Sequence, residues 1–244
     1  MIKKSIIKWD KPILGLVLII CFSCGENNNG DTLFRSLSAN ATGIFFRNDI
    51  VEKEDFNILE YLYMYNGGGV SLGDINNDGL PDIYLTSNQN ENRLYLNKGN
   101  LEFEDITATS GVGGEAGNKS WTTGSTMVDI NNDGWLDIYV CQVYGYKGLT
   151  GGNKLYINNQ DGTFTEGAKE YGLEANSYSQ HAAFFDYDQD GDLDMFLLSI
   201  VVSVARGDPR SSQSPDTPAP VPISTMLSAF DTAARTAHCA PMAA

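Results

Sequence analysis

Histidine is almost missing from this chain. Only His181 and His238 occur in 244 residues, so a zinc centre has next to no imidazole to draw on. Cysteine is equally scarce: Cys21, Cys24, Cys141 and Cys239 are the full set, and their spacing spells no disulfide framework. Cys141 lies inside an apolar run and reads as a small buried hydrophobe. Basic residues are outnumbered 16 to 31, for a net charge of −15. A phosphate backbone needs a basic face, so this balance excludes a nucleic-acid partner. No apolar run approaches the roughly 20 residues that span a bilayer as a helix. Proline is thin as well: six of the eight lie beyond residue 200.

The longest apolar run, Ile13 to Phe22, is preceded by Lys3, Lys4, Lys8 and Lys11 and followed by small residues and cysteine. A basic, then apolar, then small-residue order over residues 1–24 predicts a signal peptide. The stretch I-I-C-F-S-C-G resembles a bacterial lipoprotein signal, with Ser23 ahead of a lipid-modified Cys24. Lipidation at Cys21, or simple secretion, is the alternative. The expectation is therefore secretion across the inner membrane and a lipid anchor in the cell envelope, the chain's one link to a membrane. Residues 25–41 follow as a polar, Asn-rich tether.

What the chain has in abundance is one acidic loop, written three times. It reads D-I-N-N-D-G-L-P-D over 74–82, D-I-N-N-D-G-W-L-D over 129–137 and D-Y-D-Q-D-G-D-L-D over 186–194. Calcium takes six to eight oxygen ligands at about 2.3–2.6 Å, and alternate residues of one short loop can supply them. The expected set is Asp74, Asn76, Asp78, the carbonyl of Leu80, and Asp82. In the second copy it is Asp129, Asn131, Asp133, the carbonyl of Trp135, and Asp137. In the third it is Asp186, Asp188, Asp190, the carbonyl of Asp192, and Asp194. The glycine at the sixth position permits a turn that a Cβ would obstruct. An EF-hand begins the same way but needs Glu at position 12 and flanking helices. Here that position is Leu85, Val140 or Leu197, inside strand-like runs. Up to three Ca2+ ions are thus expected, the third copy binding most tightly because it offers four carboxylates. Any single copy could be a metal-free Asn/Asp/Gly turn; three complete copies argue against it.

The repeat extends beyond the loops. The first two acidic loops begin 55 residues apart and the next two 57, while Leu94 to Leu155 and Phe103 to Phe164 are each 61. The six extra residues fall in the Gly-rich stretch from Gly145 to Gly152, and an insertion that leaves flanking strands in register belongs in a loop. Each unit offers four short β-branched or aromatic runs with Gly/Asn turns, the cue for a four-stranded propeller blade. The fold expected is all-β, a partial β-propeller of about two and a half blades over residues 42–199. Apolar Phe45, Phe46, Ile50, Phe56, Ile58, Leu59 and Tyr61 should pack as a lead-in element. After Ser199 the pattern stops, and residues 200–244 contain no Asn, Lys or Tyr. Their Pro/Ala/Ser/Thr composition predicts a disordered or out-of-frame tail.

The run Y-N-G-G-G-V-S-L-G-D-I-N-N-D-G-L-P-D, with N-R-L-Y-L-N-K-G and F-E-D-I-T after it, resembles the FG-GAP/VCBS repeat of integrin-alpha-like propellers. F-F-D-Y-D-Q-D-G-D-L-D is similar to the branch that includes cartilage acidic protein and bacterial proteins with an ASPIC/UnbV domain. The resemblance implies a seven-bladed propeller with calcium in its blade hairpins and a role in extracellular binding or adhesion. The literal Phe-Gly…Gly-Ala-Pro signature is absent, and so is a visible ASPIC/UnbV domain. The function expected is a non-enzymatic binding module for a glycan or protein ligand at the cell surface. A calcium-dependent hydrolase or lyase, or an inactive piece of a larger propeller, is the alternative. No nucleophile with an orienting base is visible, and His181 reads as structural. Trp121, Tyr144, Tyr146 and the 145–152 insertion could form a ligand face, with loop packing as the stronger reading.

Overall fold

The computed structural model describes residues 33–115 and 120–200. The expected signal peptide with Cys21 and Cys24, the expected tether up to residue 32 and the expected tail from 201 lie outside the described residues. The chain divides into two units between Leu37 and Ser38, and the second holds all the secondary structure below. A short helix, α1 (Ala39–Thr42), is capped at its start by the Ser38 hydroxyl and stopped by Gly43 in the left-handed region.

Ten strands follow. β1 (Val70–Gly73), β2 (Asp82–Leu85), β3 (Arg93–Asn97) and β4 (Phe103–Asp105) form one antiparallel sheet in that order. A one-turn helix, α2 (Thr107–Ser110), leads out of it. β5 (Thr122–Val128), β6 (Asp137–Gln142), β7 (Lys154–Asn158) and β8 (Phe164–Glu166) form the second sheet, again in order. β9 (Ser179–Phe185) and β10 (Asp194–Ser199) form a two-stranded third. The described residues form two full blades and half of another, the architecture that the repeat period predicts. The registers repeat as well: Tyr84 pairs with Leu94 as Tyr139 pairs with Leu155.

Blade packs on blade. Tyr84 and Leu94 of the first sheet bury against Ile138, Val140, Tyr156 and Phe164 of the second. Tyr139 and Leu155 of the second bury against Ala182, with Phe184, Met195 and Leu197 beside them. β6 therefore has neighbours on both faces, and every one of its residues is buried. This explains why D-I-Y-V-C-Q reads as a continuous run rather than an alternating one. Cys141 sits in it as expected, its thiol pushed up to about 12 by burial.

Each of the two full blades carries the same internal lock. The hydroxyl of Tyr84 donates to the carbonyl of Val112 at 2.7 Å and accepts from Asn92 Nδ2 at 2.9 Å. Tyr139 does the same with Leu173 and Asn153, each at 2.9 Å. Asn92 and Asn153 then cap the backbone N–H of Ser87 and Gln142. A buried phenol needs such partners. In half-blade β9–β10 the matching residue is Phe196, so the lock has no hydroxyl there.

The inner strands approach so closely that glycine is required. Gly69 lies against the backbone of Gly124, and a Cβ on Gly124 would fall 2.3 Å from the carbonyl oxygen of Gln180. Hydroxyls bridge the same seam: Ser71 to Ser125 at 3.0 Å, and Thr123 to the carbonyl of Ser179 at 2.8 Å.

The lead-in segment folds as turns with one bridge between Lys53 and Phe56. Tyr61 and Met64 bury there with Trp121, Val143, Tyr146 and Leu149, and Phe56 stands edge-on to Trp121 at 5.2 Å. Leu59 and Phe45 stay exposed, unlike the packed lead-in expected from the sequence. Among the described residues no helix is long and apolar enough to cross a membrane.

Gly124→Ala forces backbone against backbone, and overpacking of this kind costs about 1–3 kcal/mol. Urea denaturation should show the loss in full. A midpoint equal to wild type would refute the close approach of the inner strands.

Candidate metal centre

The three acidic loops are the turns of the β1–β2, β5–β6 and β9–β10 hairpins. Strands and not helices flank each of them, so they are not EF-hands. Their backbones are the same. The fourth residue of each, Asn77, Asn132 or Gln189, has φ of 58°, 57° or 63°, and the sixth, Gly79, Gly134 or Gly191, has φ of 85°, 87° or 95°. Asn tolerates the left-handed region better than most residues. The second Asn of N-N-D-G therefore serves the turn, a role its outward position in the ligand pattern conceals.

Hydrogen bonds within each loop aim the carboxylates inward. Asp74 accepts from the backbone N–H groups of Asp78 and Gly79 at 3.1 and 2.7 Å. Asp129 accepts from Asp133 and Gly134 at 3.0 and 2.8 Å. Asp186 accepts from Asp190 and Gly191 at 3.2 and 3.1 Å. The fifth residue turns back on the loop: Asp78, Asp133 and Asp190 accept from the N–H of Leu80, Trp135 and Asp192. A carboxylate oxygen has more than one lone pair, so one amide bond leaves capacity for a cation.

The ninth residue behaves differently. Asp82 and Asp137 are wholly buried. Asp82 accepts from the N–H of Ile75 at 2.9 Å and of Asn97 at 2.7 Å, one on each oxygen. Asp137 accepts from Ile130 at 3.1 Å and Asn158 at 2.8 Å. Each thereby joins the loop to the end of the third strand of its blade. Burial pushes the Asp137 carboxyl up to about 6, against the pull of the two amides, and repulsion from Asp133 and Asp129 adds to the rise. Asp82 is raised for the same reasons. Among the described residues no ion pair reaches either one.

Asn97 and Asn158 are the functional residues that ligand spacing alone misses. The Asn158 amide donates to the carbonyls of Leu136 at 3.1 Å and Ile75 at 2.8 Å, the latter in the neighbouring blade. Asn77 reaches the Gly134 carbonyl at 3.1 Å, so the first and second loops touch. The signal was in the sequence as the final N of L-Y-L-N and L-Y-I-N, 15 and 21 residues after the aspartate each serves.

The third loop stands apart. In the first two, Asn76 and Asn131 donate to Asp78 and Asp133 at 2.9 and 3.1 Å, and the third position carries no charge. Asp188 replaces that amide. Asp186, Asp188 and Asp194 each bring an oxygen within 4.8 Å of the others. Asp194 accepts from Tyr187 N–H at 2.8 Å, matching Ile75 and Ile130, but is only partly buried. The donor set is all oxygen, the chemistry of a hard cation such as Ca2+ rather than a thiolate- or imidazole-seeking metal.

The aromatic ligand face weighed from the sequence does not form. Trp121 and Tyr146 are buried, and the Tyr146 hydroxyl donates to the Glu60 carbonyl. Lys147 pairs with Glu60 at 2.5 Å, so the 145–152 insertion is fastened to the lead-in segment. Tyr144 stays partly exposed, and His181 is exposed on β9.

In chelator, Asp137→Ala leaves two amides unpaired, one of them on β7, each at about 1–3 kcal/mol. Asp194→Ala should cost under about 1 kcal/mol, because its surroundings are wet. Denaturant midpoints of the two variants test this. Equal losses would contradict the division between a structural and a free ninth aspartate.

Residues 74–140 and 143–197 match the profile of the FG-GAP-like repeat, half of the chain. Cartilage acidic protein 1 of Xenopus tropicalis is 31% identical over 144 residues, covering 57% of this chain and 21% of that protein. The mouse protein of the same name is 34% identical over 91 residues, and the human one 34% over 94; each alignment covers 13% of the relative. The matched part thus spans about a fifth or less of these relatives. With two blades and a half built on one repeated hairpin loop, and with that profile matched over both intervals, the chain belongs to the FG-GAP-like repeat family.

Proposed function

We propose that this chain is a calcium-stabilised, non-enzymatic repeat module that acts outside the cytoplasm in binding or adhesion. The observation that carries the calcium reading is the third loop, with Asp186, Asp188 and Asp194 oxygens within 4.8 Å of one another. Like charges this close repel, and a divalent cation between them would reverse the sign of that interaction. Asp186, Asp188, Asp190 and Asp194, with the Asp192 carbonyl, would hold the ion. The corresponding residues of the other loops, Asp74, Asn76, Asp78 and Asp82, and Asp129, Asn131, Asp133 and Asp137, would hold two more, with the carbonyls of Leu80 and Trp135. The ion would supply charge neutralisation and loop rigidity. Membership in a repeat family whose relatives here carry the name cartilage acidic protein supports a binding role over turnover. The ligand class proposed is a glycan or protein at the cell surface, and the place is the bacterial cell envelope, anchored through a lipidated Cys24.

Exposed extracellular sites have dissociation constants of about 10⁻⁴–10⁻³ M. About 10 mM calcium should then stabilise the fold by ~1.4–2.7 kcal/mol per bound ion. A thermal melt with calcium and then excess chelator reads this directly. The variant with Asp78, Asp133 and Asp190 all changed to Ala should lose the calcium response. A wild-type melting temperature indifferent to millimolar calcium would sink the proposal, and turnover that depends on a loop carboxylate would overturn the non-enzymatic part.

A further inference from the structure

A cleft lies at the end of the blades away from the acidic loops. It is enclosed by the lead-in segment, the chain after β2, the approach to β5 and the 145–152 insertion, and its volume is about 250 Å³. Trp121 and Leu149 line its buried part, Phe56 is half-buried beside them, and Asp55, Lys53 and Lys147 are exposed at its rim. Pockets for drug-sized ligands measure about 300–1,000 Å³. This one suits a single small ring.

Two polar groups in the cleft lack protein partners. Trp121 is 1% exposed, its indole N–H makes no hydrogen bond among the described residues, and that nitrogen is not sealed from solvent. A buried indole N–H usually has a partner. The ring itself is packed, edge-on to Phe56 at 5.2 Å, so what it offers the cleft is a donor and not a stacking face. At the rim the Asp55 carboxylate takes part in no hydrogen bond and no ion pair among the described residues, while its backbone carbonyl accepts from Lys147. A donor inside and an acceptor outside are what a hydroxylated ligand needs. Lys53 and Lys147 are balanced by Asp55 and Glu60, and Lys147 already pairs with Glu60, so the rim has no net charge to select an anion.

We propose that this cleft is a binding site for one neutral sugar ring. The Trp121 N–H donates to a hydroxyl oxygen of the ring, and the Asp55 carboxylate accepts from a second hydroxyl in a charge-assisted bond. Phe56 and Leu149 meet the C–H groups of the ring. A few placed polar groups on apolar walls is the usual make-up of a small-molecule site. The inference rests on the binding role proposed above and narrows its glycan class to neutral sugars. It does not rest on calcium, because the cleft and the acidic loops lie at opposite ends of the hairpins.

The probes are glucose, galactose, mannose and N-acetylglucosamine, each titrated into the full chain and followed by saturation-transfer NMR. At least one should saturate with a dissociation constant on the order of 1–10 mM, the range open to a ligand of this size, and glucuronate should bind more weakly than glucose. Trp121→Phe keeps the packed ring and removes the N–H, and should weaken binding about fivefold. Asp55→Ala changes an exposed side chain, so the fold survives, and should weaken it about tenfold. Binding should persist in chelator. Three results would overturn the proposal: no saturation by any of the four sugars, which means a cleft that holds water only; glucuronate bound as tightly as glucose; or binding unchanged in both variants. The last would remove this site and leave the binding role standing, whereas a melt indifferent to calcium would sink the calcium reading and leave this site untouched.

Discussion

The buried aspartate at the ninth position of each full-blade loop is the constraint on which the rest of the fold depends. It accepts a backbone N–H from its own loop on one oxygen and a backbone N–H from the third strand of its blade on the other. A carboxylate with no water around it is costly unless its oxygens are bonded, so the loop and the strand must arrive together. The hairpin turn therefore acts as the joint that sets where β3 and β7 begin to pair. Blade-to-blade contact inherits its position from the same joint, because Asn158 reaches from there to the carbonyl of Ile75.

At the far end of each blade the tyrosine and asparagine pair does the matching work. Tyr84 with Asn92 and Tyr139 with Asn153 tie the second strand, the third strand and the linker to the next blade into one hydrogen-bonded group. Each full blade is thus pinned at both ends by a buried polar side chain with complete partners. β9–β10 has neither pin: Phe196 stands where the phenol would be, and Asp194 lacks the strand bond among the described residues. In the third loop Asp188 stands where the other two carry Asn, and oxygens of Asp186, Asp188 and Asp194 lie within 4.8 Å of one another.

Much of this was legible in the chain as a string. The loop spacing located the hairpins, the period located the blades, and the 145–152 insertion fell in a loop as its Gly content implied. The identity of the joint was not legible. Spacing along one loop marks Asp82 and Asp137 as ligands and says nothing of the strand, 15 or 21 residues later, whose N–H each also accepts. Asn97 and Asn158 read only as the ends of strands. Trp121 and Tyr146 looked equally suited to a ligand face or to packing, and Phe56, Tyr61 and the Glu60 carbonyl decided for packing.

By itself the sequence determined the repeating unit: which residues turn, which extend, and which oxygens face one another within a loop. These are local matters, settled by glycine and asparagine in the left-handed region and by alternation over a few residues. Only the tertiary structure showed that, among the described residues, the first two of three near-identical loops are tied to a third strand. The reason is physical: a carboxylate is defined by what reaches its second oxygen, and in this fold that partner comes from another strand.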